Sequence, residues 1–142
     1  MFDYQQLVET SADAIMVCDA KGLITFWNEA SERMFGFTKQ EAIGQSLDII
    51  IPQKQQARHW EGYHITMASG ITKYGASVLR VPAVHKDGRL LSIAFTVSLM
   101  RSEDGKVSAI VAVVRDESVK FAEERALRKQ VMELEAQLKK EK

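Results

Sequence analysis

Hydrophobic and polar positions alternate in two regions of the chain and recur with helical spacing elsewhere. Two short apolar runs, Ala14 to Cys18 and Leu23 to Trp27, flank the turn sequence Asp19-Ala20-Lys21-Gly22, which predicts a hairpin of two strands. Three more strands are predicted in the second half: Val78 to Val84, Leu90 to Met100 and Val107 to Arg115. Two Asp-Gly turns join these strands as a meander. In the middle strand, apolar residues alternate with Ser, Ala and Thr, so one of its faces is predicted to be buried.

The segment between these two groups of strands has the spacing and the caps of helices. Asn28 begins a first helix that Gly36 stops, and Thr38 with Glu41 three residues later fits the capping box of a second helix. A longer helix is predicted from about Lys54 to Ala68. The predicted order is therefore two strands, three or four helices and three strands.

Helical patterns also occur at both ends of the chain. Phe2 to Val8 read as a short amphipathic lead-in, whereas Ser118 to Lys142 contain no Gly or Pro and are dense in Glu, Lys, Arg, Ala and Leu. The second segment has a seam with 4-3-4 spacing, formed by Leu127, Val131, Leu134 and Leu138. Such a seam predicts a coiled coil with a second copy, and the alternative is a solvated helix packed on its own domain. We therefore divide the chain into a lead-in (1–12), a body (13–117) and a coiled-coil helix (118–142).

Composition limits the classes of function. Hydrophobic residues make up 46% of the 142 positions, which suits one globular domain and excludes both disorder and a multidomain enzyme. The 19 Lys and Arg balance the 19 Asp and Glu, so no basic field exists for a nucleic acid or an anionic membrane. The lone Cys18 excludes an internal disulfide and a cysteine-based zinc site.

The absence of several motifs sets further expectations. No apolar run approaches the ~20 residues of a membrane span, and no cleavable leader is recognisable, so we expect a cytoplasmic protein with no membrane segment here. There is no Gly-rich phosphate loop, no pair of carboxylates with a nucleophile and no Ser/His/Asp arrangement. We therefore do not expect an enzyme.

Five short motifs resemble the signatures of the PAS domain family. They are Trp27-Asn28-Glu29-Ala30, Phe35-Gly36-Phe37, Glu41-Ala42-Ile43-Gly44, Lys86-Asp87-Gly88 and Arg115-Asp116-Glu117-Ser118. The resemblance implies an α+β fold in which a five-stranded antiparallel sheet carries helices on one face, with a pocket between sheet and helices. Pro82 cannot donate to a strand ladder, which agrees with the family's placement of the third strand at a sheet margin.

The long helix has a histidine within its apolar stripe. His59, Trp60, Tyr63 and Met67 fall at i, i+1, i+4 and i+8 and therefore share one side of the helix. Polar residues lie largely elsewhere on its circumference. The pattern predicts that the imidazole of His59 faces the interior.

This helix and the following hairpin resemble the haem-binding PAS domains of oxygen sensors of the FixL and Dos type. The matching residues are Arg58-His59, Gly70 and Lys86-Asp87-Gly88. In those domains the helix histidine is the proximal iron ligand, which implies haem b bound through His59. A neutral imidazole is a good ligand for haem iron, and the aromatic stripe suits a porphyrin wall. The other wall is expected from Leu79, Phe95 and Val97, with Tyr74 near the mouth.

One position departs from the oxygen-sensor pattern. Leu79 stands where those domains have the distal arginine that binds dioxygen, and Arg80 next to it alternates to the other sheet face. Dioxygen would lose a charge-assisted donor, which Tyr74 could replace only if its loop folds inwards. The identity of the diatomic ligand, CO, O2 or NO, is therefore left open.

Other interpretations of the pocket remain. A histidine on an apolar face is more often a core residue than a ligand, so the alternative is a dimerisation module with no ligand or with a small apolar one. Non-covalent binding of a flavin such as FAD is compatible, whereas a light-driven flavin adduct needs a helix cysteine and Cys18 is predicted in the first strand as a core residue. His64 and His85 are expected to be solvated, and Asp48 is expected to be a surface charge.

The expected function is that of a sensory module. Ligand binding would change the packing of sheet against helices, and residues Arg115 to Ser118 would pass the shift into the C-terminal coiled coil of a homodimer. The resemblance implies an output domain beyond it, such as a histidine kinase, a cyclase or a chemotaxis-type module.

Overall fold

The structure, a computed structural model, describes residues 2–72 and 75–141. In chain order its elements are α1 (Tyr4–Glu9), β1 (Ala14–Asp19), β2 (Ile24–Trp27), α2 (Glu29–Phe35), α3 (Lys39–Ala42), a 3-10 turn (Leu47–Ile50), α4 (Gln53–Ser69), β3 (Leu79–Val84), β4 (Leu90–Arg101), β5 (Val107–Asp116) and α5 (Ser118–Lys140). The predicted strands and the long helix are confirmed to within about one residue at each end. The sequence pattern gave no separate sign of the 3-10 turn, which lies between α3 and α4.

The five strands form one antiparallel sheet in the order β2-β1-β5-β4-β3. Strands β3, β4 and β5 are neighbours, which confirms the predicted meander, and β1 pairs with both β2 and β5. β3 lies at one edge of the sheet, where Pro82 is tolerated although it has no N–H to donate to a neighbouring strand. The five-stranded sheet with its short N-terminal helix and its C-terminal helix is the architecture that the resemblance implied.

Strand register determines which side chains lie on the inner face of the sheet, the face that packs against the helices. Ala14, Met16 and Cys18 of β1 are buried and stand opposite Val114, Ala112 and Ile110 of β5. The same face continues through Phe95 and Val97 of β4 to Leu79 and Ala83 of β3. This apolar surface and the side chains of α2, α3 and α4 form one hydrophobic core.

Asn28 fixes the junction between β2 and α2. Its side chain is completely buried, and its Oδ1 accepts hydrogen bonds from the backbone N–H of Ile15 (2.9 Å) and of Ser31 (3.0 Å) and from the Ser31 hydroxyl (2.9 Å). Its Nδ2 donates to the carbonyls of Val8 (2.9 Å) and Asp13 (3.1 Å). The predicted N-cap therefore also ties α1 and β1 to α2.

Local signals at the other helix ends also behave as predicted. Gly36 ends α2 in the left-handed region at φ 84°, where a side chain is strained. Thr38 and Glu41 form a reciprocal capping box at the start of α3. No helix within the described residues is long and apolar enough to cross a membrane.

Candidate ligand-binding site

Helix α4 packs its aromatic side against the inner face of the sheet. Tyr63 is 7% exposed, and its hydroxyl donates a hydrogen bond to the backbone carbonyl of Asp19 at the end of β1. Trp60 and Met67 are partly buried against the same core. The structure therefore brings together the predicted stripe, whose role as a binding surface stays a prediction.

Trp60 is positioned by two residues outside α4. Its ring lies over Gly22 so closely that a Cβ at Gly22 would stand 2.2 Å from it, which requires glycine in that turn. Its indole N–H donates to the Asp48 carboxylate at 2.6 Å. Asp48 was expected to be a plain surface charge, and this expectation is wrong because the 3-10 turn brings it under α4. No local pattern could have revealed this contact, since twelve positions separate the two residues.

His59 has a buried nitrogen without a partner. The Nδ1 atom of His59 is inaccessible to solvent and makes no hydrogen bond within the described residues. The centroid of the His59 ring lies 4.6 Å from that of Trp60 and 5.8 Å from that of Tyr63. Burial lowers the pKa of the imidazole, and the negative charge of Asp48 opposes this only in part. The side chain is therefore neutral near pH 7, the form that ligates metals.

The sheet supplies the opposite wall. Leu79 pairs with Phe95, and Val97 is two residues further along β4, so the three side chains lie on the inner face. Arg80 points to the outer face, as predicted, and its guanidinium is 3.4 Å from the carboxylate of Glu117. Tyr74, placed by sequence at the mouth of the pocket, lies outside the described residues.

Three other candidate residues have distinct surroundings. His64 is exposed, as expected. His85 was expected to be solvated, and this is wrong: its ring packs so tightly on Gly36 that a Cβ there would be 2.6 Å away, and its Nδ1 accepts the Asp87 N–H.

Cys18 is 3% exposed, and burial raises the pKa of its thiol to about 12. It is a core residue, as predicted, and not a nucleophile.

The donor chemistry of this region fits a haem iron. His59 offers a neutral imidazole whose ring lies against the rings of Trp60 and Tyr63, with the carboxylate of Asp48 near enough to act on it. The space between α4 and the sheet is closed by Tyr63, which reaches across to Asp19. In the part of the chain that the structure describes, open pockets lie elsewhere, such as one of about 260 Å³ on the outer face beside Arg80 and one of about 480 Å³ along α5. Accommodating a porphyrin therefore requires α4 to stand further from the sheet.

Comparison with known proteins assigns the family. The PAS fold family model matches residues 3–116. The chain belongs to the PAS family. As a PAS domain it is a sensory module of the kind found in signalling proteins, some of which are oxygen sensors.

Three curated relatives are similar to this PAS domain. An uncharacterised protein of Azorhizobium caulinodans is 32% identical over 122 residues, covering 85% of this chain and 16% of that protein. The sensor protein FixL of Bradyrhizobium diazoefficiens is 38% identical over 55 residues, covering 39% of this chain and 11% of FixL. The oxygen sensor protein DosP of Escherichia coli K12 is 28% identical over 109 residues, covering 77% and 13%. The chain thus spans about a sixth or less of the length of these relatives.

Solved structures support the fold. The PAS domain of a Colwellia psychrerythraea protein superposes with a TM-score of 0.70 at 23% identity, covering 80% of this chain and 93% of that one. An RNA-binding light-oxygen-voltage receptor also reaches 0.70, at 16% identity, covering 90% of this chain and 36% of the receptor. At these identities the likeness concerns the PAS fold alone.

Proposed function

We propose that this PAS domain binds haem b through His59 and relays the state of the haem iron through α5 to an output domain. The observation that carries the proposal is the buried, neutral imidazole of His59, whose Nδ1 has no protein partner within the described residues. The similarity to FixL and to the oxygen sensor DosP supports it. A buried polar group without a partner costs free energy, and a ligand at that ring would offset the cost.

Each wall residue has a defined part in this proposal. His59 would hold the iron, Trp60, Tyr63 and Met67 would line the proximal side, and Leu79, Phe95 and Val97 the distal side, with Tyr74 at the mouth. Bound haem supplies an iron that takes CO, O2 or NO. The apolar side chains of this lining would exclude water from that iron, and burial keeps the imidazole of His59 neutral.

An absorption spectrum of the purified protein with added hemin tests the proposal. We expect a Soret band that persists through gel filtration. A colourless protein whose hemin washes away would reject haem binding, and a flavin spectrum would replace haem with non-covalent FAD.

A dimerisation module without ligand is the second candidate function. It is favoured by the hydrogen bonds from Tyr63 to Asp19 and from Trp60 to Asp48, which attach α4 to β1 and to the 3-10 turn without any ligand. This candidate requires that hemin leaves the absorption and the thermal stability of the protein unchanged. A ligand that binds only the folded state stabilises it by an amount that grows with the logarithm of the ligand concentration. A rise in Tm with hemin would therefore exclude the ligand-free module.

The junction between β5 and α5 suits a relay. The Glu117 N–H donates to the carbonyl of Ser92 at 2.8 Å, and the Ser92 N–H donates to the Ser118 hydroxyl at 3.0 Å. Ser118 also donates to Asp116 at its own helix start. The first turn of α5 is thus attached to β4, so a shift of the sheet would change the direction of α5. We further propose that α5 leads to an output domain such as a histidine kinase, that the protein is cytoplasmic, and that the PAS domain itself has no enzymatic activity.

The exposed seam of α5 is proposed to pair with a second copy in parallel. Leu127, Val131, Leu134 and Leu138 are all exposed, at 46–62% of their surface. We expect Leu134→Asp to weaken dimerisation by at least about tenfold, since it places a charge in the seam. The matched control, Ala136→Asp, adds the same charge on the other side of the helix and should leave the dimer intact.

Sedimentation at several protein concentrations measures this effect. Deleting the residues after Ser118 should also weaken association. An unchanged oligomer in the truncated chain would place the interface elsewhere, for example on α1.

The distal wall predicts gas selectivity. CO is nearly apolar and needs only space, whereas bound O2 gains from a nearby donor, and a charge-assisted hydrogen bond contributes ~1.5–3 kcal/mol. With Leu79 at the distal position, we expect CO to bind well. We expect O2 to bind roughly one to two orders of magnitude more weakly than it would beside a cationic donor. Leu79→Arg should strengthen O2 binding selectively in spectroscopic titrations of the ferrous protein. Equal strengthening of CO would contradict this role.

A long-lived oxy complex in the unmodified protein would also contradict the picture of an apolar distal side. Its loss in Tyr74→Phe would then identify Tyr74 as the donor. Its persistence in that variant would point to a different inward-facing residue.

A further inference from the structure

Few contacts at its ends hold α4 in place. Its N-cap is Pro52, which makes no side-chain capping hydrogen bond, and its last turn contains no basic residue. Tyr63 is the one buried residue of this helix. The C-terminal carbonyls of a helix carry partial negative charge and are stabilised by a cation nearby, which α4 itself does not provide.

Arg101, at the end of β4, supplies that cation from a different element. Its guanidinium donates to the carbonyl of Gly70, the C-cap of α4, at 2.6 Å, and to the carbonyl of Gly105 in the β4–β5 turn at 3.0 Å. Gly70 has φ 71°, and a Cβ there would lie 3.1 Å from the guanidinium. Arg101 therefore joins the C-cap of α4 to the β4–β5 turn.

Gly62 provides a flexible point in the middle of the same helix. Among the described residues, a Cβ at this position would meet no atom within 4 Å, so packing does not require a glycine there. Glycine inside a helix lowers its stability relative to alanine because the backbone loses more conformational freedom. The half of α4 after Gly62 contains Tyr63 and ends at the Arg101 contact, whereas Trp60 on the other half is bonded to Asp48.

We propose that Arg101 is a latch for α4: its release lets the half of the helix after Gly62 swing away from the sheet and opens the inner face to a ligand. This deepens the proposed function, because a ligand beside His59 needs the space that Tyr63 closes. The opening breaks the bond from Tyr63 to Asp19 and exposes Cys18, the neighbour of Asp19 on the inner face of β1.

Cys18, the chain's single thiol, reports this opening directly. In the closed form it is buried, so its reaction with 5,5′-dithiobis(2-nitrobenzoate) follows the population of opened molecules. We expect Arg101→Gln to accelerate labelling about tenfold, the effect of losing a charge-assisted hydrogen bond at the latch. The control Arg80→Gln removes an arginine ion pair on the outer face and should leave the rate unchanged.

The dependence on urea separates opening of α4 from unfolding of the whole domain. Labelling through the latch should depend only weakly on urea, because little surface is exposed. The proposal is overturned if Arg101→Gln labels at the native rate, if Arg80→Gln accelerates labelling equally, or if the urea dependence is that of global unfolding.

Gly62→Ala gives a second and independent test that holds even if Arg101→Gln fails to fold. A stiffer helix should slow labelling about threefold. An unchanged or faster rate contradicts the hinge at Gly62 and with it the proposed swing. All labelling is done without hemin, so loss of the haem proposal would leave this result unaffected.

Discussion

The His59→Ala variant is expected to lose haem, while His64→Ala and His85→Ala retain it. Of the three histidines, only His59 lies on the inner side of α4 with a buried and unpaired ring nitrogen. Replacing the residue that ligates the iron should lower haem affinity by more than the roughly 10–100-fold that is lost when a partner hydrogen-bonded to a metal ligand is replaced. The haem-to-protein ratio after gel filtration, from the Soret and aromatic absorbances, measures the effect.

The two control variants differ in their expected stability. His64 is exposed, so its removal should change little. His85→Ala leaves a void against Gly36 and removes the acceptor for the Asp87 N–H, so it should lower the free energy of unfolding without releasing haem. Equal haem retention in all three variants would remove His59 from the site.

The Asn28→Ala variant should lose about 3 kcal/mol or more of the free energy of unfolding. The substitution leaves the N–H groups of Ile15 and Ser31 and the carbonyls of Val8 and Asp13 without their partner in a buried position. Each unsatisfied buried group costs about 1–3 kcal/mol, although water can reach some of them after local relaxation. For a domain of this size, Tm should fall by roughly 10 °C.

Thr38→Ala serves as the matched control for Asn28→Ala. Thr38 also caps a helix, but its capping box is exposed and joins only neighbouring residues, so its loss should cost about 1 kcal/mol. Urea unfolding followed by circular dichroism compares the two variants. Similar losses in both would mean that the contacts of Asn28 with α1 and β1 add nothing beyond the N-cap.

Features that depend on neighbours along the chain were predictable from sequence. The Asp-Gly turns, the capping box at Thr38 and the glycine stop at Gly36 are determined by backbone conformations that few residue types adopt. Alternation along β4 predicted its buried face because successive side chains of a strand point to opposite sides. Pro82 predicted an edge strand because it cannot donate to a ladder.

The candidate site was predictable in part. Helical spacing placed His59 and Tyr63 on one side of α4, and that side does face the sheet. The partners of this side could not be predicted: Asp48 on Trp60, Gly22 beneath it and Arg101 at the helix end come from turns and strands distant in sequence. His85 was misjudged for the same reason, since the β3–β4 hairpin folds back onto the end of α2.

The sequence by itself therefore determined the order of the strands and main helices, the caps at Asn28 and Thr38, the buried faces of β4 and α4, and the family signatures, because these follow from local conformational preferences and periodicity. Only the tertiary structure decided which groups meet across the core: that Nδ1 of His59 finds no partner in residues 2–72 and 75–141, that Tyr63 closes the inner face through Asp19, and that Arg101 holds the end of α4. These contacts depend on how the helices pack on the twisted sheet, and a single chain's local pattern carries no information about pairs so far apart.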